Sequence, residues 1–275
     1  MFLKRKLYNL FHPRVGEIWC LHRVLPKRSS LVSNRELEIT PDYLERMIVK
    51  ARNQGCEFVD LDTLVATANS SARPEKRLVN ISFDDGFEDV FTYAYPVLKR
   101  YGIPFTLYVT TNMPDGKADL WWLQLEKMAK GDSDWFNRVS GNIYDSQGDF
   151  GLAMHSITSS KVDHDLCQLS LTWDQIRTMV SEGLCTIGSH GVTHKALSLL
   201  PKKLALRELT MSKHRLEEVL GVEVRHFSYP HSFFSEASNQ LVFQAGYQTM
   251  VVAYGGSIRR QTNHHFFSRN YIVQS

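Results

Sequence analysis

The chain predicts an α/β fold built on a parallel sheet. Short apolar runs of strand length alternate along it with segments of helical periodicity. The clearest stretch, residues 78–110, reads as a complete strand–helix–strand unit. Three polar motifs also fall at the carboxyl ends of strands, where the βα loops of parallel barrels gather.

Glu17–His22 reads as the first strand. Thr40 then supplies an N-cap and Pro41 a first helical residue, and Leu44, Met47, Ile48 and Ala51 recur at helical spacing until Gly55. Phe58–Leu61 is expected as the next strand. Leu78–Phe83 follows as a buried strand. Val90, Ala94, Val97, Leu98 and Tyr101 share one helix face that Gly102 terminates, and Phe105–Thr110 is a further strand. Thr172 and Gln175 form a capping box for a helix carrying Ile176, Met179 and Val180, closed by Gly183 ahead of a strand at Cys185–Gly188. A longer helix over 201–220, a strand at Arg225–Ser228, a helix at Ser235–Ala245 and a strand at Thr249–Ala253 complete the pattern. Between about 130 and 170 the periodicity gives way to Gly, Ser, Asp and Asn, which predicts a loop insertion over one face.

With 275 residues, 43% hydrophobic and 22% charged, the chain suits one globular domain over 17–275, preceded by a basic segment over 1–16. The same composition excludes a disordered, collagenous or disulfide-scaffold protein. The net charge is +3, but Lys4, Arg5, Lys6, Arg14, Arg23, Lys27 and Arg28 stand against Glu17 alone in the first thirty residues, so the body is mildly acidic. Positive charge so placed argues against nucleic acid as a partner. The opening segment lacks the apolar run and cleavage site of a secretory signal, and no stretch reaches a membrane span, which predicts a soluble, cytoplasmic chain. Leu3, Leu7, Leu10 and Phe11, interleaved with Lys4, Arg5 and Lys6, could lie on an anionic membrane surface as a peripheral amphipathic helix; a first turn packed on the domain is the plainer reading. Cys20, Cys56, Cys167 and Cys185 form no CxxC pair and are expected as reduced, mostly buried thiols.

The chemistry rests on Ser82-Phe83-Asp84-Asp85-Gly86, Ser189-His190-Gly191-Val192-Thr193-His194 and Ser228-Tyr229-Pro230-His231. Alone, an Asp-Asp-Gly after a strand is an ordinary turn with a capping carboxylate. A lone HxxxH occurs readily by chance in a chain with 11 His. On one rim the three acquire a joint meaning. A spacing of four places His190 and His194 on one side of a helical turn, as a tetrahedral divalent metal requires, and one carboxylate completes three protein ligands with a position left for water. The other carboxylate is then free to take a proton from that water, which describes a metal-assisted hydrolase.

On these motifs the chain resembles the NodB-homology polysaccharide deacetylases, carbohydrate esterases that remove N- or O-acetyl groups from sugars. The likeness runs from about residue 17 to the end. It implies a distorted (β/α)7-type barrel and an Asp-His-His metal site, usually zinc. By motif, Asp84 would be the general base and Asp85, His190 and His194 the metal ligands, with Tyr229, Pro230 and His231 at the substrate and oxyanion side. The family's third motif commonly carries an arginine where Ser228 stands, and Arg269 is the expected replacement, approaching Asp84. Gly191 stands where the family prefers Ser or Thr. The family's Leu-x-His acid motif has no clean match; His265 is the first candidate, with His264 and His231 behind it. Trp121, Trp122, Tyr229, Phe233 and Phe234 read equally as a sugar-stacking surface or as core. His22, in Leu-His-Arg at the end of the first strand, either reaches the rim or is a satisfied buried imidazole. The implied reaction is removal of N-acetyl groups from amino sugars of a polysaccharide or lipid-linked glycan. An O-acetyl esterase, or a non-catalytic glycan-binding descendant, stands as the alternative.

Overall fold

Along the chain, β1 (Arg14–Leu21) is followed by a short parallel pair, β2 (Arg23–Val24) and β3 (Glu38–Ile39), then α1 (Pro41–Asn53), β4 (Cys56–Phe58), α2 (Leu61–Asn69) and β5 (Arg77–Phe83). A π turn, Val90–Ala94, leads into α3 (Tyr95–Tyr101) and β6 (Phe105–Val109). Next come α4 (Trp121–Ala129), α5 (Ser133–Asp145), α6 (Trp173–Ser181), β7 (Cys185–Ser189), α7 (Lys202–Leu220), β8 (His226–Ser228), α8 (Glu236–Gln244) and β9 (Thr249–Val252). Three short strands end the chain: β10 (Ile258–Arg259), β11 (Phe266–Ser268) and β12 (Asn270–Tyr271). The computed structural model describes residues 12–29, 35–71, 74–118, 120–145, 168–260 and 264–274.

Strands β1, β5, β6, β7, β8, β9 and β11 pair in that order, all parallel. Only Arg269 separates β11 from β12, and β12 pairs in parallel with β1. One continuous segment therefore bridges the last strand to the first and brings the sheet to a nearly closed barrel. Its regularity is broken at β5, whose lower half pairs with β4 and whose upper half pairs with β6. This is a distorted α/β barrel, the architecture expected from the sequence.

Strand alternation divides the side chains into two sets. Val79, Ile81, Phe83, Phe105, Leu107 and Val109 face outward into the main core beneath the helices. Tyr108, Val251, Phe267 and Ile18 belong to a separate inner cluster, into which α2 packs Leu61, Leu64 and Ala68. Polar residues share that interior and are satisfied there: Asn80 Nδ2 donates to the Val59 carbonyl at 3.0 Å and Ser82 Oγ to the Trp19 carbonyl at 2.7 Å. Gly188 makes room for this filling, because a Cβ there would lie 2.3 Å from the Tyr108 ring.

Two expectations need correction. The strand predicted at Phe58–Leu61 ends at Phe58, because the Asp60 side chain accepts from the Thr63 N–H at 2.8 Å and starts α2. The expected loop insertion over 130–170 contains helix α5, whose Trp135, Phe136 and Val139 pack with Leu123, Leu125, Met113 and Phe87. Its remainder, residues 146–167, lies outside the described residues, as do the basic residues 1–11 and Cys167. Cys20, Cys56 and Cys185 are free thiols. Among the described residues no helix is long and apolar enough to cross a membrane.

Candidate active site

The three motifs meet at one rim because β5, β7 and β8 are parallel and each motif runs from its strand's last one or two residues into the loop beyond. Asp84 continues the ladder by one residue, its N–H donating to the Leu21 carbonyl at 3.0 Å. The backbone then turns sharply at Asp85 (φ 73°) and Gly86 (φ 107°), so the two carboxylates diverge. His194 (φ 61°), His231 (φ 57°) and Ser232 (φ 58°) also adopt the left-handed region; elsewhere among the described non-glycine residues only Lys130 does. Such conformations cost on the order of 1–3 kcal/mol each and persist where the surroundings enforce them.

Asp85, His190 and His194 offer ligand atoms that all lie within 4.8 Å of one another. Asp85 Oδ1 is 3.0 Å from His194 Nε2 and 3.4 Å from His190 Nε2. The His190 Nδ1–H donates to the Ser228 carbonyl at 2.8 Å, which fixes the tautomer and leaves the Nε2 lone pair facing Asp85. Asp85 Oδ1 is buried and accepts no hydrogen bond of ordinary geometry. Burial lowers the pKa of His190 to about 4, only partly opposed by Asp84, so the ring is neutral near pH 7. Burial alone would raise the Asp85 carboxyl, but His194 offsets it and holds the group below the usual carboxylate range. A buried carboxylate oxygen that faces the His190 lone pair, lies 3.0 Å from His194 Nε2 and accepts no hydrogen bond of ordinary geometry is placed as a metal ligand would be. The donor set fits a divalent ion of the zinc class. The two imidazoles converge from an irregular loop rather than a helical turn, because Gly191 takes φ 81° and breaks helical geometry between them.

Arg269 lies on the seam between β11 and β12 and points into the barrel at 1% exposure. Its Nη1 and Nη2 donate to Asp84 Oδ1 and Oδ2, each at 2.6 Å, in a bidentate fork. Nη2 also donates to Ser228 Oγ at 2.8 Å and Nη1 to Ser82 Oγ at 3.1 Å, while the guanidinium sits 5.1 Å over the Tyr108 ring. Burial would push Asp84 up, but Arg269 above all, then His190, bring its pKa down to about 2. The Cys20 thiol lies 3.9 Å behind Asp84, and burial raises its pKa far above the ordinary thiol range.

A cavity of about 380 Å³ opens over both carboxylates. Phe136 and Ser140 of α5, Tyr254, Tyr271 and Leu37 form its walls, and His22, Tyr229, His231 and Ser232 reach it. His22 thus arrives at the rim, with its buried Nδ1 lacking a hydrogen-bond partner and its ring 5.4 Å from Tyr271. His231 packs edge-on against His194 at 4.5 Å. His265 is not brought here: it precedes β11, exposed against Phe243 with Nδ1 on the Gln248 carbonyl, at the amino end of the barrel. His264 stays beside it against Phe267. Tyr229 is core-like, its hydroxyl donating to Asn239 Oδ1 at 2.8 Å, and Pro230 is buried in the turn behind it. Phe234 is exposed and packs on Phe266 and Tyr254, Phe233 lies near His231, and the Trp121 and Trp122 side chains lie outside the described residues. Phe136, Tyr254 and Tyr271 are wall residues that the sequence did not single out; the amphipathic pattern of α5 was the available signal for the first.

A family model for polysaccharide deacetylases matches residues 71–250. The chain belongs to the polysaccharide deacetylase family. Its likeness to the polysaccharide deacetylase homologue YxkH of Bacillus subtilis (strain 168) is 23% identity over 231 residues, covering 84% of this chain and 64% of that relative's length. Among solved structures, IcaB from Ammonifex degensii superposes with a TM-score of 0.68 at 22% identity, covering 94% of this chain and 92% of the other. The Streptococcus pyogenes deacetylase PplD in complex with acetate gives 0.66 at 18% identity over 94% and 92%. A de-N-acetylase from Aggregatibacter actinomycetemcomitans gives 0.68 at 15% identity over 94% and 95%. At these identities the structural likeness speaks for the deacetylase fold alone.

Proposed function

We propose that the chain is a metal-dependent hydrolase that removes N-acetyl groups from amino sugars of a polysaccharide or lipid-linked glycan. One observation carries the reading: an Asp-His-His donor set shares a pocket floor with a second carboxylate, Asp84, that Arg269 aligns. Membership of the deacetylase family and the fold shared with a de-N-acetylase support it. Asp85, His190 and His194 would hold the ion, with zinc expected, and when bound it supplies Lewis-acid polarisation of an acetyl carbonyl and a more acidic water.

The chain's own groups do the rest. Asp84 is ionised at any ordinary pH, and among the described residues its Oδ1 accepts only from Arg269, leaving a lone pair to take the proton of an attacking water. Arg269 fixes the direction of that lone pair. His22, in the same pocket with an unpartnered ring nitrogen, replaces His265 as the candidate proton relay. Burial lowers its pKa and leaves the ring neutral at rest, so the proton it passes to the departing amine is the one Asp84 takes from the attacking water. The Tyr229–His231 turn is the candidate to present a backbone N–H to the developing oxyanion. Phe136, Tyr254 and Tyr271 offer ring faces, and Ser140 and Ser232 hydroxyls, as a sugar's apolar faces and hydroxyl edges require.

Purified protein of measured zinc content, assayed for acetate release from N-acetylated and O-acetylated sugars in parallel, tests the reading. Acetate from the N-acetylated series is expected, with His22→Ala slower by about 10²-fold or more. Release from O-acetyl sugars alone would make the chain an esterase. Glycan binding without release, in metal-loaded protein, would make it a non-catalytic relative.

A further inference from the structure

We propose that Glu208, a helix residue outside the pocket floor, sets the metal affinity of the site by holding the loop of residues 190–194 in ligating shape. The inference rests on the metal-site reading and extends it to a residue that touches neither the ligand atoms nor the substrate cavity. Glu208 lies in α7, and its carboxylate turns toward the loop. Oε2 accepts from the Val192 N–H at 2.8 Å and the Thr193 N–H at 2.9 Å, and Oε1 accepts from the Thr193 hydroxyl at 2.8 Å. One helical turn onward, buried Ser212 bonds Ser189 Oγ at 2.8 Å, which in turn accepts from the Gly191 N–H at 3.2 Å. Residues four apart share a helix face, so α7 grips the loop at two points. From the opposite side Thr111 and Asn112 donate their N–H groups to the carbonyls of Gly191 and Val192, each at 3.1 Å.

The loop has no helix or strand ladder of its own, and Gly191 (φ 81°) and His194 (φ 61°) hold left-handed conformations within it. Its shape is therefore imposed from outside, and the charged acceptor contributes the stronger kind of hydrogen bond. Gly191 belongs to the same device: a Cβ there would stand 3.3 Å from Glu208 Oε2, in the space the carboxylate uses. Both ligating imidazoles hang from the segment whose two central N–H groups this one carboxylate fixes. Loss of the carboxylate should widen the spread of imidazole positions and weaken the site, as removing a group that orients metal ligands commonly does.

The test is zinc affinity by chelator competition on the full chain, with the apo-protein melting temperature and amide exchange at Val192 and Thr193 measured beside it. Glu208→Ala is expected to weaken zinc binding by roughly 10–100-fold. Exchange at the two amides should accelerate, and Glu208→Gln, which keeps an acceptor oxygen for them, should lose less. A Glu208→Ala protein with lowered apo stability but wild-type zinc affinity would reduce the residue to a structural brace and overturn the proposal. Should that variant fail to fold, Glu208→Gln decides: a several-fold weaker site supports the role, and wild-type affinity overturns it. A wild-type chain that takes up no stoichiometric zinc would instead sink the metal-site reading itself.

Discussion

The two ends of the barrel carry clusters of the same side-chain chemistry, and they differ in whether any ligand atom is left over. At the amino end His226 bonds Thr249 Oγ1 through Nδ1 at 2.7 Å and Asp62 Oδ1 through Nε2 at 3.0 Å, while Asp62 Oδ2 takes Arg225 at 2.6 Å. Every ring nitrogen and carboxylate oxygen has a partner, and the hydrogen bond from His226, with Arg225, holds the Asp62 carboxyl below its ordinary range. At the carboxyl end Asp85 Oδ1 faces two imidazole nitrogens with no ordinary hydrogen bond, under a cavity, on backbone in the left-handed region. Aspartate, histidine and arginine in proximity make a structural plug at one end and a candidate centre at the other. What separates them is one unpartnered carboxylate oxygen, Asp85 Oδ1, beneath a cavity.

Substitutions sharpen the contrast. The largest effect is expected at Asp84→Asn, which keeps the shape of the Arg269 site and removes the proposed base. Turnover should fall by about 10²–10⁴-fold with zinc content unchanged, whereas Asp62→Asn should leave kcat near wild type. Unimpaired turnover in Asp84→Asn protein would remove the proposed base. Next comes stability. Arg269→Ala strands Asp84 as a buried charge and should cost about 3–5 kcal/mol in chemical denaturation, against at most about 1 kcal/mol for Arg225→Ala, whose ion pair is partly exposed. Equal losses would erase the distinction between the two ends.

The smallest effect is on acid unfolding. Asp84 is depressed from 3.8 to about 2, so its contribution is present above pH ~4 and is lost as the pH falls through about 2. Wild-type protein should therefore lose stability across that interval more steeply than Arg269→Ala does. Parallel acid curves would show that the fork contributes nothing.

The parallel α/β architecture and the rim were legible because their signals are local. A buried strand ending in Asp84-Asp85, and another ending in the His190–His194 motif, declare both their element and their end of the barrel. Arg269 could be named, but what carries it into the interior is the seam joining β11 to β12, a closure no local pattern encodes. His265 shows the reverse. It stands only four residues before Arg269, yet the three extended residues of β11 span about 10 Å and leave it at the opposite end. Helix α5 was hidden by its many polar residues, since only one face, through Phe136 and Val139, meets apolar neighbours. The loop between the histidines escaped helical expectation because Gly191 opens a conformation that spacing alone does not reveal.

The central claim is that Asp85, His190 and His194 hold a divalent ion while the chemically similar Asp62 and His226 do not. Metal content after equilibration with zinc, measured for wild type, Asp85→Ala, His194→Ala, Asp62→Ala and His226→Ala, tests it most directly. The account predicts about one ion per chain in wild type and in folded amino-end variants, and none in the two rim variants. Full zinc occupancy in Asp85→Ala and His194→Ala, or its loss only in the amino-end variants, would contradict it.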